Sequence, residues 1–203
     1  MPSVSQSTQN TVRPTPHPPT RLTLSHPPPG LCEWYSPVEP GTGLHPRPVA
    51  APALRTWFPE IDPSWDSIWY PPRHGETIPE VHDRAAGLLS VLVPEIERRF
   101  PEKHGQGQGH RLLLVSHAAT IIALNHALLG DRDTPMRIGC CSLTEMRRKR
   151  EEGRVVRHVA GGWDALRTAD GSHLKDGVGR DWGFEDVVIR DGDLSAMVIS
   201  SRD

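Results

Sequence analysis

Three things are missing from this 203-residue chain: a disulfide framework, an apolar run of membrane length and an excess of charge of either sign. Its three cysteines, Cys32, Cys140 and Cys141, form no C-x-x-C pair, so a reducing compartment is the simpler inference. No stretch reaches the roughly 20 apolar residues that span a bilayer, and the amino terminus lacks the apolar core of a signal peptide. The formal net charge is −2, which gives no electrostatic case for nucleic-acid or membrane binding by the whole chain. Apolar residues make up 36%, below the usual globular share, so only part of the chain is expected to pack. These absences predict a soluble, intracellular, single-domain protein, cytoplasmic or nuclear.

What is present is organised around residues 111–130, RLLLVSHAATIIALNHALLG. Leu112–Val115 has the length and composition of a buried parallel strand. Ala118–Leu129 reads as a helix of three turns, with Gly130 where a helix C′ residue belongs. Between them stand Ser116 and His117. In open α/β sheets ligands collect at the carboxyl ends of strands. A helix N-terminus there favours phosphate through free N–H groups and the positive dipole end. Ser116 could equally cap the helix, with His117 a turn residue without chemistry. The glycines that flank the nucleophile of a serine-hydrolase elbow are absent, which argues against that reading.

Residues 1–30 are rich in Pro, Ser and Thr and are expected to be extended and mobile, with one candidate edge strand at Leu22 and Leu24. Gly30-Leu31-Cys32-Glu33-Trp34-Tyr35 is the first dense cluster. Glu33, beside two aromatics, is either a rim carboxylate or an acid raised by an apolar wall. Residues 36–56 form a long Pro- and Gly-rich loop, of the kind that often covers a site.

Arg73-His74-Gly75-Glu76-Thr77 resembles the Arg-His-Gly-Glu-Thr signature of phosphohistidine enzymes. That signature requires a buried strand before it, and Trp69-Tyr70-Pro71-Pro72 cannot supply one. Thr77 and Glu80 instead have capping-box spacing, with Pro79 in the first turn. Val81, Ala85, Leu88, Leu89, Leu92 and Ile96 mark one apolar face, and Pro94 is a candidate kink. His74 is kept as an alternative nucleophile facing His117 across a pocket. Further on, Ile138–Met146 and Val155–Val159 read as strands, and Met146–Arg154 as a solvated hairpin tip. Gly161 to Asp193 reads as an irregular tail anchored by Trp163, Trp182 and Phe184, with Val187–Ile189 a last apolar run.

Several pieces occur in one order: Gly30-Leu31-Cys32-Glu33-Trp34-Tyr35, Tyr70-Pro71-Pro72 with Gly75-Glu76-Thr77, and His82-Asp83-Arg84. Leu113-Leu114-Val115-Ser116-His117-Ala118-Ala119 and Cys141-Ser142-Leu143 follow. In these the chain resembles the histidine phosphatase (phosphoglycerate mutase-like) superfamily from Leu31 to Ile189. Its tail, Asp170-Gly171-Ser172-His173-Leu174 and Trp182-Gly183-Phe184-Glu185-Asp186-Val187, is similar to a fungal branch. That branch is related to the phosphatase-like subunit of RNA polymerase III transcription factor C.

The resemblance implies an α/β fold, a three-layer sheet with flanking helices. It implies that a neutral His of an Arg-His-Gly motif attacks phosphorus. A second His and two Arg hold the phosphoryl oxygens, and a carboxylic acid protonates the leaving oxygen. No metal or cofactor is required. His117 matches the second His, with Ser116 and Ala118 beside it in the substrate-binding turn. Glu33 is the match to the acid, or to the structural partner of an acid that relatives carry where this chain has Pro28. No apolar strand followed by Arg-His-Gly precedes residue 30, and the Arg of the second family motif is also absent.

The resemblance therefore implies a mobile segment 1–30, a partial domain 31–192 lacking its first strand, and a tail 193–203. The site around His117 is expected to take a phosphomonoester and to be weakly active or inactive. Its partner would be a phosphorylated small molecule or a phosphoprotein. The alternative is a non-catalytic interaction module that binds other protein subunits. Neither reading calls for direct nucleic-acid or membrane binding.

Overall fold

The computed structural model describes residues 29–65, 68–101, 111–189 and 197–199. The Pro-rich residues 1–28, with the candidate strand at Leu22 and Leu24, lie outside the described residues. So do residues 102–110 of the loop and, of the tail 193–203, all but 197–199.

Two helices make the core. After a short helix α1 (Ala51–Leu54), α2 runs from Ile78 to Arg99 and α3 from Ala118 to Leu129. The start of α2 follows from its sequence. The Thr77 backbone N–H donates to Glu80 Oε2 at 2.7 Å, and the Glu80 N–H donates back to Thr77 Oγ1 at 3.4 Å. The helix continues through Pro94 to its basic last turn, where Arg98 and Arg99 both reach Glu95 and meet the negative dipole end. α3 ends at Gly130, whose φ of 75° is the left-handed conformation that favours glycine.

The apolar face of α2 (Val81, Ala85, Leu88, Leu89, Leu92, Val93) packs with Ala123, Leu124 and Leu128 of α3, and with Leu31 and Trp65. α3 is apolar almost all round, as a central helix must be. Its other side buries Ile122 against Met136 and Ile138.

Among the described residues the strands form four antiparallel pairs. β1 (Ile138–Cys140) pairs with β6 (Gly179–Trp182), and β2 (Leu143–Arg148) with β5 (Trp163–Asp170). β3 (Arg150–Glu151) pairs with β4 (Arg154–Val155), and β7 (Val187–Ile189) with β8 (Met197–Ile199). Glu152 (φ 48°) and Gly153 (φ 77°) make the tight turn of β3–β4, so the charge run is a hairpin tip as its sequence predicts.

Four expectations are corrected. Leu112–Val115 is not an interior strand: it has no regular secondary structure, pairs with no strand among the described residues, and exposes Leu113 (75%) and Val115 (78%) to solvent. Only Leu114 of that run packs against the core. An apolar run is buried as a strand only where a neighbour completes its ladder. The expected strand Ile138–Met146 is broken at Cys141, whose φ of 60° turns the chain between β1 and β2. The expected strand Val155–Val159 reduces to Arg154–Val155. Part of the supposedly irregular tail, Trp163–Asp170, is the longest described strand. The architecture is therefore mixed helices with small antiparallel sheets, and the described residues do not form a continuous three-layer sheet.

Candidate functional site

The site is built on the segment that begins with the 3₁₀ turn Pro29–Leu31. Three consecutive carbonyl groups of this segment are held by side chains from elsewhere. Arg84 Nη1 on α2 donates to the Gly30 oxygen at 2.5 Å, and Ser116 Oγ donates to the Leu31 oxygen at 2.6 Å. Thr120 Oγ1 on α3 donates to the Cys32 oxygen at 2.8 Å. Trp34 adds a fourth tie, its indole N–H donating to the Glu76 backbone oxygen at 2.8 Å.

Arg84 can serve here because it is itself paired. Its Nε donates to both oxygens of Glu76, at 2.8 and 3.0 Å, with both side chains almost wholly buried. Burial raises the Glu76 carboxyl above its ordinary value, while the hydrogen-bonded Arg84 works against that rise. Burial likewise raises the Cys32 thiol, which disfavours its thiolate.

With its three predecessors fixed, Glu33 reaches His117. Glu33 Oε2 lies 2.9 Å from His117 Nδ1, and Glu33 Oε1 accepts the backbone N–H of Trp34 at 3.0 Å. His117 is the N-cap of α3 (φ −108°, ψ 159°), and Ala118 is that helix's first residue. Ser116 does not cap the helix; its hydroxyl is committed to Leu31. The pair is accessible, with side chains 54% (His117) and 39% (Glu33) exposed. Its geometry suits an imidazole held by a carboxylate at Nδ1, which leaves Nε2 for a ligand.

The structure brings His117, Glu33, Ser116 and Ala118 together, and it does not bring His74 to them. His74 is an exposed turn residue beside an open hollow lined by Val38, Pro40, Gly41, Gly43 and Leu44. This corrects the reading of His74 as a nucleophile opposite His117: the residue lies on an exposed surface turn that no strand among the described residues leads into. No cluster of three or more His, Cys, Asp or Glu among the described residues could hold a metal ion. No helix among the described residues is long and apolar enough to cross a membrane.

Sequence reasoning missed Arg84, Glu76 and Thr120 as parts of the site. One signal was available. Arg84 falls between Val81, Ala85 and Leu88 on the buried face of α2, where an unpaired charge would be untenable. A charged residue at a core position therefore implies a buried counter-charge.

Comparison with known proteins gives two findings. The profile of the histidine phosphatase superfamily (branch 1) matches residues 46–160, more than half of the chain. That stretch contains Glu76, Arg84, Ser116, His117 and Thr120, but not Glu33. The "Transcription factor tau 55 kDa subunit" of Saccharomyces cerevisiae is 32% identical over 124 residues, 56% of this chain. The alignment covers 27% of that relative, so the chain matches about a quarter of its length.

Proposed function

We propose a function from the premise that this chain belongs to the histidine phosphatase superfamily. His117 and Glu33 form one part of a phosphomonoester-type anion site whose turnover is weak or absent. The observation that carries this is the 2.9 Å contact between Glu33 Oε2 and His117 Nδ1 at the start of α3. The carboxylate holds the Nδ1–H, so Nε2 faces a ligand. The first N–H groups of α3 have no intrahelical acceptor and favour a negative group beside it.

Phosphoryl transfer also needs cations on the equatorial oxygens. No arginine among the described residues is hydrogen-bonded or ion-paired to His117 or Glu33. An anion can dock on such a site more readily than it can react there. The ligand is a phosphorylated small molecule or the phosphoryl group of a phosphoprotein.

The test titrates inorganic phosphate and an aryl phosphate into the full chain while following the His117 ring by NMR. Both should shift the His117 signals, with no release of phosphate above background. Turnover that disappears in His117→Ala would overturn the inactive reading, since loss of a reacting group costs several decades in rate. Unmoved His117 signals would remove the anion site itself.

The exposed run Leu112, Leu113 and Val115, next to the site, favours a second reading. In it the chain is an interaction module within a multisubunit assembly in the nucleus, as the name of the yeast relative suggests. Under that reading, partner recovery from cell extract falls in Leu113→Ser/Val115→Ser and is unaffected by His117→Ala. Equal recovery from both variants would count against it.

A further inference from the structure

Away from His117, two histidines meet in the interior. His82 on α2 and His126 on α3 are both buried, and His82 Nε2 lies 3.0 Å from His126 Nδ1. The ring planes are 10° from parallel and the centroids 5.3 Å apart, the separation of two rings meeting edge to edge through their nitrogens.

The outer nitrogens are committed. His82 Nδ1 is 2.8 Å from the Ile78 oxygen, and His126 Nε2 is 2.9 Å from the Thr134 oxygen. Both partners are carbonyls, which only accept, so each outer nitrogen must carry a hydrogen. A neutral imidazole has one N–H. If both rings were neutral, the two inner nitrogens would face each other with lone pairs at 3.0 Å. That is a repulsive contact between unsatisfied acceptors in the interior.

The geometry points to a proton-binding site: the His82–His126 pair takes up one proton from solvent and shares it between the two inner nitrogens. One nitrogen forms the N–H bond and the other accepts it. The pair then carries three N–H bonds and a single positive charge, and all four ring nitrogens are satisfied.

The surroundings bear on that charge from each side. On α2, Asp83 favours it. Arg132, ion-paired to Asp83 at 2.7 Å, opposes it from the turn after α3. Asp131 in the same turn accepts the Asp133 N–H and the Thr134 hydroxyl, and it interacts with His126. From the 3₁₀ turn Phe184–Asp186, Phe184 sets an apolar ring 5.2 Å from His82, while Glu185 and Asp186 are bound by Arg137. Burial, the neighbouring His126 and Arg132 push the His82 imidazole below its ordinary value, against the Ile78 carbonyl and Asp83. That push acts on a charge confined to one ring, whereas the shared proton spreads it over two and removes the repulsive contact.

The pH dependence follows. The unfolded imidazoles each titrate near about 6.5. A shared proton removes the contact between the two inner lone pairs, so on this proposal the folded pair holds one proton to higher pH than an unfolded imidazole does; that stabilisation is complete below the unfolded value and is lost as pH rises through the folded one. A second proton would place two charges together and binds more weakly in the folded state. Stability therefore also falls as pH drops below the unfolded value. The site makes the α2–α3 seam firmest close to neutrality.

The test uses long-range ¹H–¹⁵N spectra of the uniformly labelled full chain across pH 5–9. The expected result at neutral pH is hydrogen on His82 Nδ1 and His126 Nε2 plus one bridging hydrogen. That bridging hydrogen should be lost at higher pH together with about one proton's worth of pH-dependent stability. His126→Asn sets an amide donor toward His82 Nε2 without added charge, so the loss of stability above the unfolded value should disappear, while the fall below it, from His82 alone, remains. Two neutral rings with one outer nitrogen bare at neutral pH would overturn the inference. So would an unchanged slope in a folded His126→Asn. The wild-type spectra decide the matter even if that variant does not fold.

Discussion

Arg84 on α2 and Thr120 on α3 converge on one acceptor, the carbonyl oxygen of Cys32, at 3.4 and 2.8 Å. They are themselves 3.4 Å apart, Arg84 Nη2 to Thr120 Oγ1. The helix pair that forms the core is thus also the clamp that places Glu33. Thr120→Val removes the hydroxyl and leaves the shape. It should lower stability by about 1–3 kcal/mol, the range for a buried group left unsatisfied. It should also shift the Trp34 amide resonance, because that N–H donates to Glu33 Oε1. Urea unfolding and an amide spectrum check both. A stability loss with an unmoved Trp34 amide would show that Glu33 keeps its place without the clamp.

Arg84→Ala should be far more severe. It leaves the Glu76 carboxylate buried without its cation and the Gly30 carbonyl without its donor. Breaking one side of a buried pair costs about 3–5 kcal/mol. Replacing both members by apolar residues is often harmless elsewhere. Here Arg84→Met/Glu76→Leu should remain destabilised, because the Gly30 and Cys32 oxygens lose their guanidinium donor as well. Denaturant titration of the two variants side by side separates the pair from its backbone role.

The parts of the fold legible in the sequence are those set by local physics. The capping box at Thr77 and Glu80, the apolar face of α2 and the left-handed Gly130 each lie within one or two turns of the helix they define. Leu112–Val115 shows the limit: four apolar residues announce burial, but only a neighbouring strand can provide it. β5 escaped for the converse reason. Its residues are largely exposed, and its pairing to β2 is non-local. The contact of His117 with Glu33 joins residues singled out separately by their sequence context. The clamp beneath them could not be read in the same way, since its acceptors are backbone carbonyls and leave no trace in residue identity.

The N-terminus of α2 gives a pH-dependent prediction. The Thr77 backbone N–H and hydroxyl both donate to Glu80 and hold its carboxyl below the usual range. A depressed folded value means that the contribution is present above the unfolded value of about 4.3 and is lost as pH falls through the folded one. Thr77→Ala should cost about 1 kcal/mol at neutral pH, as for other helix caps. The difference from wild type should narrow toward pH 3 as Glu80 becomes protonated. Thermal unfolding of both proteins across that range measures it. A difference that stays constant with pH would assign the cap's effect to the Glu80 N–H bond alone.

Gly130 and Gly153 have nearly equal φ, 75° and 77°, yet their surroundings differ. A Cβ at Gly153 would meet nothing within 4 Å, whereas one at Gly130 would stand 2.7 Å from the Gly161 Cα. Gly153→Ala should therefore show only the cost of a left-handed alanine, about 1–2 kcal/mol. Gly130→Ala should exceed it, because the chain at Gly161 is tied back to Ala127 by a 3.1 Å hydrogen bond and has little room to yield. Asparagine relieves the conformational cost but not the collision. It should rescue position 153 and leave position 130 impaired. Urea unfolding of the four variants tests the comparison. Equal losses at the two sites would mean that the loop at Gly161 does not press on the end of α3.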